Sequence, residues 1–144
     1  MKLNYFINVP GKPLPKSVKF SRFGSYNSKH VRGWMDLVRD ITKVEMLSKK
    51  IVMPPGTPVK VFVTAYMPLP KSTAKKRIPL LVDTWHTVKP DADNLLKPIV
   101  DGMTEAEMWD DDNQVASMKI EKLWCERGNE RAEVSVMWYP VSTF

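Results

Sequence analysis

The sequence predicts an α+β protein in which helices pack on one face of a mixed or antiparallel sheet. Residues 3–9 and 59–67 alternate apolar and polar side chains, which is the period of a strand with one buried face. Residues 29–48 carry apolar side chains at helical spacing, and residues 95–103 repeat that spacing later in the chain. This order of strands and helices is typical of a single two-layer domain.

The remaining elements follow from turn residues and helix breakers. We expect residues 10–27 to form a basic loop or an irregular edge, because their early prolines oppose both a helix and a central strand. A short helix is expected near residues 72–82. Two strand-like runs, 115–124 and 132–139, are separated by the turn residues 126–130, which predicts a C-terminal β-hairpin.

The composition indicates a globular protein of one domain, residues 1–144. One cysteine cannot form an internal disulfide, and with only two histidines a zinc cluster is not expected. No apolar run approaches the roughly 18 residues that span a bilayer, and the first residues lack the apolar block of a signal peptide. We therefore expect a cytoplasmic protein that does not enter a membrane.

The formal net charge of +6 is distributed unevenly along the chain. Basic residues gather in the N-terminal third and around residues 71–77, whereas acids crowd residues 101–112. A basic surface around an acidic pocket suits a polyanion held against a bound cation. Solvated surface charge is the alternative for any one of these residues. The candidates for contacts with a nucleic-acid backbone are Lys12, Lys16, Lys71, Lys75, Lys76 and Arg77.

Two carboxylates follow a proline in the most informative segment, residues 89–97. In extended geometry Asp91 and Asp93 share a face, and two carboxylates on one small patch repel each other unless a cation lies between them. Asp93 also suits a helix N-cap, which would place Lys97 one turn on and Asp101 a further turn along the same face. This sparse set of carboxylates fits Mg²⁺, which keeps waters and phosphate oxygens as ligands.

The structural alternative for this segment is an N-cap aspartate in a proline-bounded loop, since a lone Asp-x-Asp is common. A calcium EF-hand loop beginning at Asp91 fails, because Leu95 stands where a polar ligand is needed and Leu96 where glycine is needed. Pro98 and Gly102 also oppose a regular helix, and they leave the orientation of Lys97 open.

A second acidic segment is formed by Asp110, Asp111 and Asp112. Successive side chains alternate in direction along an extended chain, so at most two of the three face a common site. An exposed turn or a guarded strand edge would also account for such a run.

Residues 89–115 combine the two acidic segments in a fixed order. The order is Lys89-Pro90-Asp91-x-Asp93-Asn94-Leu95-x-Lys97, then Asp101, then Asp111-Asp112-x-Gln114-Val115. This order resembles the signature of the RusA family of Holliday junction resolvases, which phages and prophages often encode. Weaker likeness extends to an opening strand that ends in Pro-Gly-Lys-Pro, to the basic run at residues 75–77 and to the closing hairpin.

The resemblance implies a homodimer that binds four-way DNA junctions and nicks them symmetrically with Mg²⁺, in DNA recombination and repair. It makes Asp91, Asp93 and Asp112 the catalytic carboxylates that bind the metal, and Lys97 a catalytic lysine. Asp111 matches the other acid of the family pair and is a further candidate ligand.

The resemblance leaves two acids without a settled role. Asp110 lies outside the matched pair. Asp101 matches a recurrent acid, but an ion pair with Lys97 explains it as well as a metal role does.

A competing interpretation is a basic nucleic-acid-binding module without catalysis, because basic clusters with aromatic residues also fit that class. It predicts no specific Mg²⁺ binding and a DNA affinity that does not depend on Asp93. A nucleotide-sugar transferase that uses Asp-x-Asp is disfavoured, because the chain lacks a Rossmann-like β–α series and a glycine-rich nucleotide motif.

Overall fold

A computed structural model of the protein describes residues 3–16, 18–21, 24–27 and 29–138. The strands are β1 Leu3–Pro10, β2 Val18–Ser21, β3 Gly24–Asn27, β4 Val59–Pro68, β5 Val115–Cys125 and β6 Arg131–Trp138. The helices are α1 Lys29–Ser48, α2 Ile78–Leu81 and α3 Ala92–Glu105, and two 3-10 turns cover Lys75–Arg77 and Asp112–Gln114. The predicted α+β class is confirmed.

Four strands form a mixed sheet in the order β1-β6-β4-β5. The pairs β1–β6 and β6–β4 are antiparallel, whereas β4 and β5 are parallel. Parallel neighbours need a crossover connection, and α3 lies within the one that joins β4 to β5. The segments that flank α3 therefore belong to the connection between β4 and β5.

The two long helices cover one face of this sheet. Every second residue of β4 is buried, from Val59 to Met67, as the alternation of its sequence predicts. Val59, Val61 and Val63 belong to the main core, which also contains Trp34 of α1 and Ile99 and Met103 of α3. Ala65 and Met67 pack in a smaller cluster with Leu95 of α3. The two-layer arrangement with helices on one face is thus confirmed by its packing.

The last two strands are antiparallel and are joined by the predicted turn, so their arrangement is hairpin-like. They do not pair with each other, however, because β4 lies between β5 and β6 and bonds to both. The sequence pattern locates the strands and the turn, but it contains no information on an intervening strand from earlier in the chain.

Within the predicted basic loop, the structure adds a feature that the pattern did not predict. Strands β2 and β3 pair as an antiparallel two-stranded sheet, with Val18 opposite Asn27 and Ser21 opposite Gly24. The expectation of a loop or irregular edge across residues 10–27 is wrong for these two segments. Strands of four residues are too short for alternation to distinguish them from a loop.

Helices α1 and α3 approach each other closely at Gly102. A Cβ atom at this position would lie 2.9 Å from the carbonyl oxygen of Met35 and 3.0 Å from Cβ of Val38. At the edge of the same contact, Nη1 of Arg32 donates to Oε1 of Glu105 at 2.9 Å. Gly102 is therefore needed for helix packing, which offsets its low helix propensity. None of the described helices combines the length and the apolar character that crossing a membrane requires.

Residues 70–82 leave the sheet and return to it at adjacent points of β5. The backbone N–H of Leu69 donates to the carbonyl of Cys125 at 3.0 Å, just before the segment begins. The backbone N–H of Asp83 donates to the carbonyl of Trp124 at 2.9 Å, just after it ends. The segment is a closed excursion from one edge of the sheet, and the 3-10 turn and α2 within it confirm the short helix expected near residues 72–82.

Candidate active site

The first acidic segment forms the start of α3. Asp91 is the N-cap residue, with extended backbone angles of φ −69° and ψ 147°, and the helix begins at Ala92. Asp93 therefore lies in the first helical turn, where its Oδ1 accepts from the N–H of Asn94 at 3.0 Å. The N-cap was expected at Asp93, which is two residues after its observed position at Asp91. The extended geometry predicted across Asp91 and Asp93 is therefore wrong, because the helix begins between the two acids.

The chain that leads to Asp91 is fixed along the free edge of β5. Backbone hydrogen bonds of 2.9 to 3.0 Å join Asp83, Thr84 and His86 to Trp124 and Lys122. The His86 ring is buried and lies 4.2 Å from the Trp124 ring, centroid to centroid. Burial, and then the nearby Lys122 charge, lower the pKa of His86. The histidine is thus part of the packing behind the loop.

Lys122 holds the last residues before the helix. Its Nζ donates to the carbonyl of Val88 at 2.9 Å and to the carbonyl of Pro90 at 2.7 Å. The Lys89–Pro90 peptide bond is cis. Sequence reasoning missed Lys122, because an interior lysine of a strand gives no signal that it will bind carbonyls some thirty residues away in sequence.

Pro98 stands inside α3 and removes one of its hydrogen bonds. Proline has no N–H, so the carbonyl four residues earlier, that of Asn94, has no partner in the helix. The backbone N–H of Lys16 donates to this carbonyl at 2.8 Å. The N-terminal loop is thereby attached to the first turns of α3. The helix accommodates Pro98 at its seventh residue, beyond the first turn.

A line of alternating charges runs along the exposed side of α3. Nζ of Lys97 lies 3.2 Å from Oδ1 of Asp101, one helical turn on, and 3.6 Å from Oδ2 of Asp112. Nζ of Lys16 lies 3.2 Å from the other oxygen of Asp101, Oδ2. The expected placement of Lys97 and Asp101 on one face of the helix is confirmed.

The pKa of Lys97 is raised above its ordinary value by this arrangement. Burial acts to lower it, but the ion pairs with Asp101 and then with Asp112 outweigh that effect. Lys97 therefore carries a full positive charge at neutral pH, directly beside one of the predicted metal ligands.

The acids of the second acidic segment differ in their structural roles. Asp111 is the N-cap of the 3-10 turn, and its Oδ1 accepts from the N–H of Asn113 at 3.0 Å. Gln114 completes a capping box: its Oε1 accepts from the N–H groups of Asp110 and Asp111 at 2.8 and 3.3 Å. These bonds fix the turn, and Asp112, which follows the cap, reaches Lys97 instead.

The hydrogen bond that Asp111 accepts from the backbone N–H of Asn113 is the main cause that lowers the pKa of Asp111 below its ordinary value. Oδ1 of Asp111 is thus engaged within the turn, whereas Oδ2 of Asp112 faces the ammonium group of Lys97.

Both acidic segments contribute to one pocket, which lies between α3 and the start of β5. The residues that line it are Asp93, Leu96, Lys97, Val100, Asp112 and Met118. Its polar side consists of two carboxylates and one ammonium group, and its other side is apolar. Of the four residues predicted to be catalytic, three meet in this pocket, and Asp91 lies at the N-cap of the same helix.

The donor chemistry of the pocket fits a hard divalent cation. Carboxylate oxygens of Asp93 and Asp112 are the ligands that Mg²⁺ prefers, and this ion needs only one or two of them beside water and phosphate. Among the residues that the structure describes, no three acidic, histidine or cysteine side chains are grouped closely enough to hold an ion by themselves. The pocket therefore suits an ion that is completed by water and substrate, and not one that is enclosed by protein.

The predicted DNA-contacting residues fall into two groups. Lys12 and Lys16 lie in the N-terminal loop, and Lys16 reaches the acidic pocket through Asp101. Lys71 and the turn Lys75–Arg77 lie on the excursion from β5 and are exposed to solvent. The structure does not connect this second group to the carboxylates.

The fold and the pocket define a compact α+β protein with a carboxylate site beside basic surface, as nucleases that act through a metal ion have. The family model described as Endodeoxyribonuclease RusA matches residues 10–137, which is most of the chain. The chain therefore belongs to the RusA endodeoxyribonuclease family, and the resemblance seen in residues 89–115 is confirmed. The protein is an endonuclease that acts on DNA. A comparison with curated proteins returned no match.

Proposed function

We propose that this protein is a Mg²⁺-dependent endonuclease that resolves four-way DNA junctions. Asp91, Asp93 and Asp112 hold the metal, and Lys97 meets the scissile phosphate. The observation that supports this most directly is the pocket at the start of α3, which Asp93, Lys97 and Asp112 line together and in which Nζ of Lys97 lies 3.6 Å from Oδ2 of Asp112. Membership of the RusA family supports the DNA substrate.

The metal would be held mainly by Asp93 and Asp112, with Asp91 at the N-cap as the third ligand. When bound, Mg²⁺ supplies Lewis-acid chemistry and makes water a stronger nucleophile near neutral pH. Asp111 acts in support: its cap fixes the turn that presents Asp112.

Lys97 and the N-terminus of α3 bind and orient the phosphate. The first N–H groups of the helix and its dipole favour an anion at this end. Lys97 adds a full charge that stabilises the negative charge developing on the phosphate oxygens. Leu96, Val100 and Met118 form the apolar side of the same pocket.

The wider proposal concerns the setting of the reaction. A single domain acts as a homodimer in the cytoplasm, and two symmetric nicks resolve junctions in recombination and repair. The backbone of the junction arms is contacted by Lys12, Lys71 and the turn Lys75–Arg77, which position DNA without reading its sequence. Sedimentation of the protein at micromolar concentration tests the dimer, since a mass equal to one chain of 16.6 kDa would exclude it.

The decisive experiment uses synthetic four-way junctions and a linear duplex of matched sequence, in Mg²⁺ or in EDTA. Wild-type protein should nick the junction symmetrically in Mg²⁺ and leave the duplex intact. Asp93→Asn and Asp112→Asn should bind the junction but cut it slower by a factor on the order of 10² or more. Asp110→Asn is the matched control, because Asp110 belongs to the same acidic run but does not line the pocket.

Two results would exclude this proposal. If the Asn variants cleave at the wild-type rate, Asp93 and Asp112 are not catalytic carboxylates. Binding of junctions without any nicking in Mg²⁺ or Mn²⁺ would favour the competing interpretation, a nucleic-acid-binding module that has lost catalysis.

A further inference from the structure

We infer that Lys16 is a second lysine of the active site, held by Asp101, and that it binds the scissile phosphate together with Lys97. The inference rests on the proposed function, because it adds a residue to the same site. From sequence alone Lys16 was grouped with Lys12 as a contact to the DNA arms. In the structure, Lys16 contacts Asn94 and Asp101 of α3, whereas Lys12 is exposed to solvent.

The backbone of Lys16 is attached to α3 through the bond that Pro98 leaves open. The Lys16 N–H donates to the Asn94 carbonyl at 2.8 Å, in the place of the helical N–H that proline lacks. Asn94 directly follows Asp93, a predicted metal ligand. The N-terminal loop is thus attached one residue from the site, and Pro98 has a structural role there.

The side chain of Lys16 continues toward the same centre. Asp101 offers one carboxylate oxygen to each of two lysines, at 3.2 Å to Lys16 and 3.2 Å to Lys97. Its side chain is only 19% exposed, so the two ion pairs are partly shielded from water. Asp101 is therefore a positioning residue that sets both ammonium groups side by side.

The charges around Asp101 leave room for an anion. Two ammonium groups share one carboxylate, and the second acidic contact of Lys97 is Asp112. When Asp112 serves a metal ion, the pair of lysines keeps one uncompensated positive charge. A phosphodiester carries one negative charge, so this pair matches it beside the metal ligands.

Lys12 provides the matched control, because it lies four residues earlier in the same loop and is exposed to solvent. We compare Lys16→Met with Lys12→Met, since methionine keeps much of the length of the side chain and removes the charge. Two quantities are measured: the dissociation constant for a four-way junction in EDTA, and the single-turnover cleavage rate in Mg²⁺ at saturating protein.

Lys16→Met should slow single-turnover cleavage about 10- to 100-fold and change the dissociation constant by about twofold or less. Lys12→Met should instead weaken junction binding, which distinguishes a contact to the DNA arms from a residue of the active site. Lys16→Arg should recover part of the rate, because it restores the charge but not the shape of the ammonium group. Thermal unfolding of each variant shows whether it is folded.

Asp101 has its own test, as a residue that acts through the lysines. Asp101→Asn should slow saturated cleavage and leave the apparent Mg²⁺ requirement unchanged, since it removes a positioning group and not a ligand. Asp101→Glu should be faster than Asp101→Asn. A raised Mg²⁺ requirement in Asp101→Asn would overturn the positioning role, because it would identify Asp101 as a metal ligand.

The inference about Lys16 is overturned if Lys16→Met cuts at the wild-type saturated rate, or if its only defect is the weakened binding expected for Lys12→Met. Either result would leave the proposed function intact as long as wild type nicks junctions and Asp112→Asn does not. Absence of nicking by the wild type would instead remove the proposed function, and with it the site to which Lys16 is assigned.

Discussion

Asp111 and Asp112 are adjacent in the chain and have the same chemistry, yet their surroundings differ. Asp111 accepts from the backbone of its own turn, and Asp112 faces the ammonium group of Lys97. Asp111 therefore contributes to the stability of the turn, and the proposed metal ligand is its neighbour Asp112.

Asp111→Ala should lower the melting temperature in a manner that depends on pH, because it removes the cap of the second 3-10 turn. The pKa of Asp111 is lowered in the fold, mainly by the hydrogen bond from Asn113. Its stabilising effect is thus fully present above the unfolded pKa of about 3.9 and is lost as pH falls through the lower folded value. The difference between the melting temperatures of the two proteins should narrow as pH is lowered from 7 toward 3, and a constant difference would contradict the assignment.

Lys122→Met should weaken the apparent affinity for Mg²⁺ about 10- to 100-fold, which is the usual range for residues that orient a metal ligand without binding the metal themselves. The change releases the carbonyls of Val88 and Pro90, and with them the segment that positions Asp91. Titration of Mg²⁺ in the cleavage assay measures this shift.

Lys119→Met is the control for Lys122, because Lys119 lies on the same strand with its side chain 69% exposed. Equal Mg²⁺ requirements in the two variants would show that Lys122 does not position a ligand.

The sequence could supply the identities of the candidate acids but not their geometry. Asp91, Asp93, Lys97 and Asp112 were named from a pattern, and three of them line one pocket. These three lie together because Asp93 and Lys97 belong to α3 and Asp112 belongs to the 3-10 turn beside it, and not because of an extended Asp-x-Asp. The position of Lys122 depends on a contact between distant segments, which no local pattern contains.

At the level of elements, α3 carries two residues that helices normally exclude, and each has a packing reason. Gly102 permits close contact with α1, and Pro98 releases a carbonyl that the N-terminal loop uses. Both looked like defects in the sequence, because helix propensity is a local quantity and the compensation comes from other segments.

Gly102→Ala should destabilise the protein by about 1 to 3 kcal/mol, the cost of overpacking a close contact, despite the better helix propensity of alanine. Denaturant unfolding measures this free energy.

Gly33→Ala in α1 is the counterpart, since a Cβ atom there meets nothing within 4 Å. It should stabilise by up to about 1 kcal/mol. Stabilisation by both substitutions would show that α1 and α3 are not tightly packed at Gly102.

Element bounds were predicted well where the apolar period is long. The observed helix Lys29–Ser48 coincides with the predicted range, and Val59–Pro68 extends the predicted strand by one residue. The insertion of β4 between β5 and β6 was not predictable, because pairing partners depend on the packing of the whole sheet. Tyr139, the last residue of a predicted strand, lies outside the described residues.

At the level of the whole molecule, the net charge of +6 is not spread evenly around the pocket. The turn Lys75–Arg77 projects from the excursion beyond β5, and the acids collect at α3 and the second 3-10 turn. This separation suits a polyanion that is attracted over a wide surface and bound to a metal ion at one point.

Replacing Lys75, Lys76 and Arg77 together by glutamine should weaken junction binding and reduce its dependence on salt. For each phosphate contact that is lost, the slope of log affinity against log salt concentration should fall by about 0.9. Binding measured between 50 and 300 mM KCl gives this slope, and the saturated cleavage rate should stay near that of wild type. An unchanged slope would show that the turn does not contact DNA.

The closed excursion of residues 70–82 has a consequence for redesign. Its two ends are fastened to adjacent residues of β5, and the chain is fastened again before it reaches Asp91. A loop of different length and composition can be exchanged there, since doubling the length of a flexible loop costs only about 0.6 kcal/mol. Exchange of residues 70–82 would therefore alter the basic turn Lys75–Arg77 while leaving α3 and the acidic pocket in place.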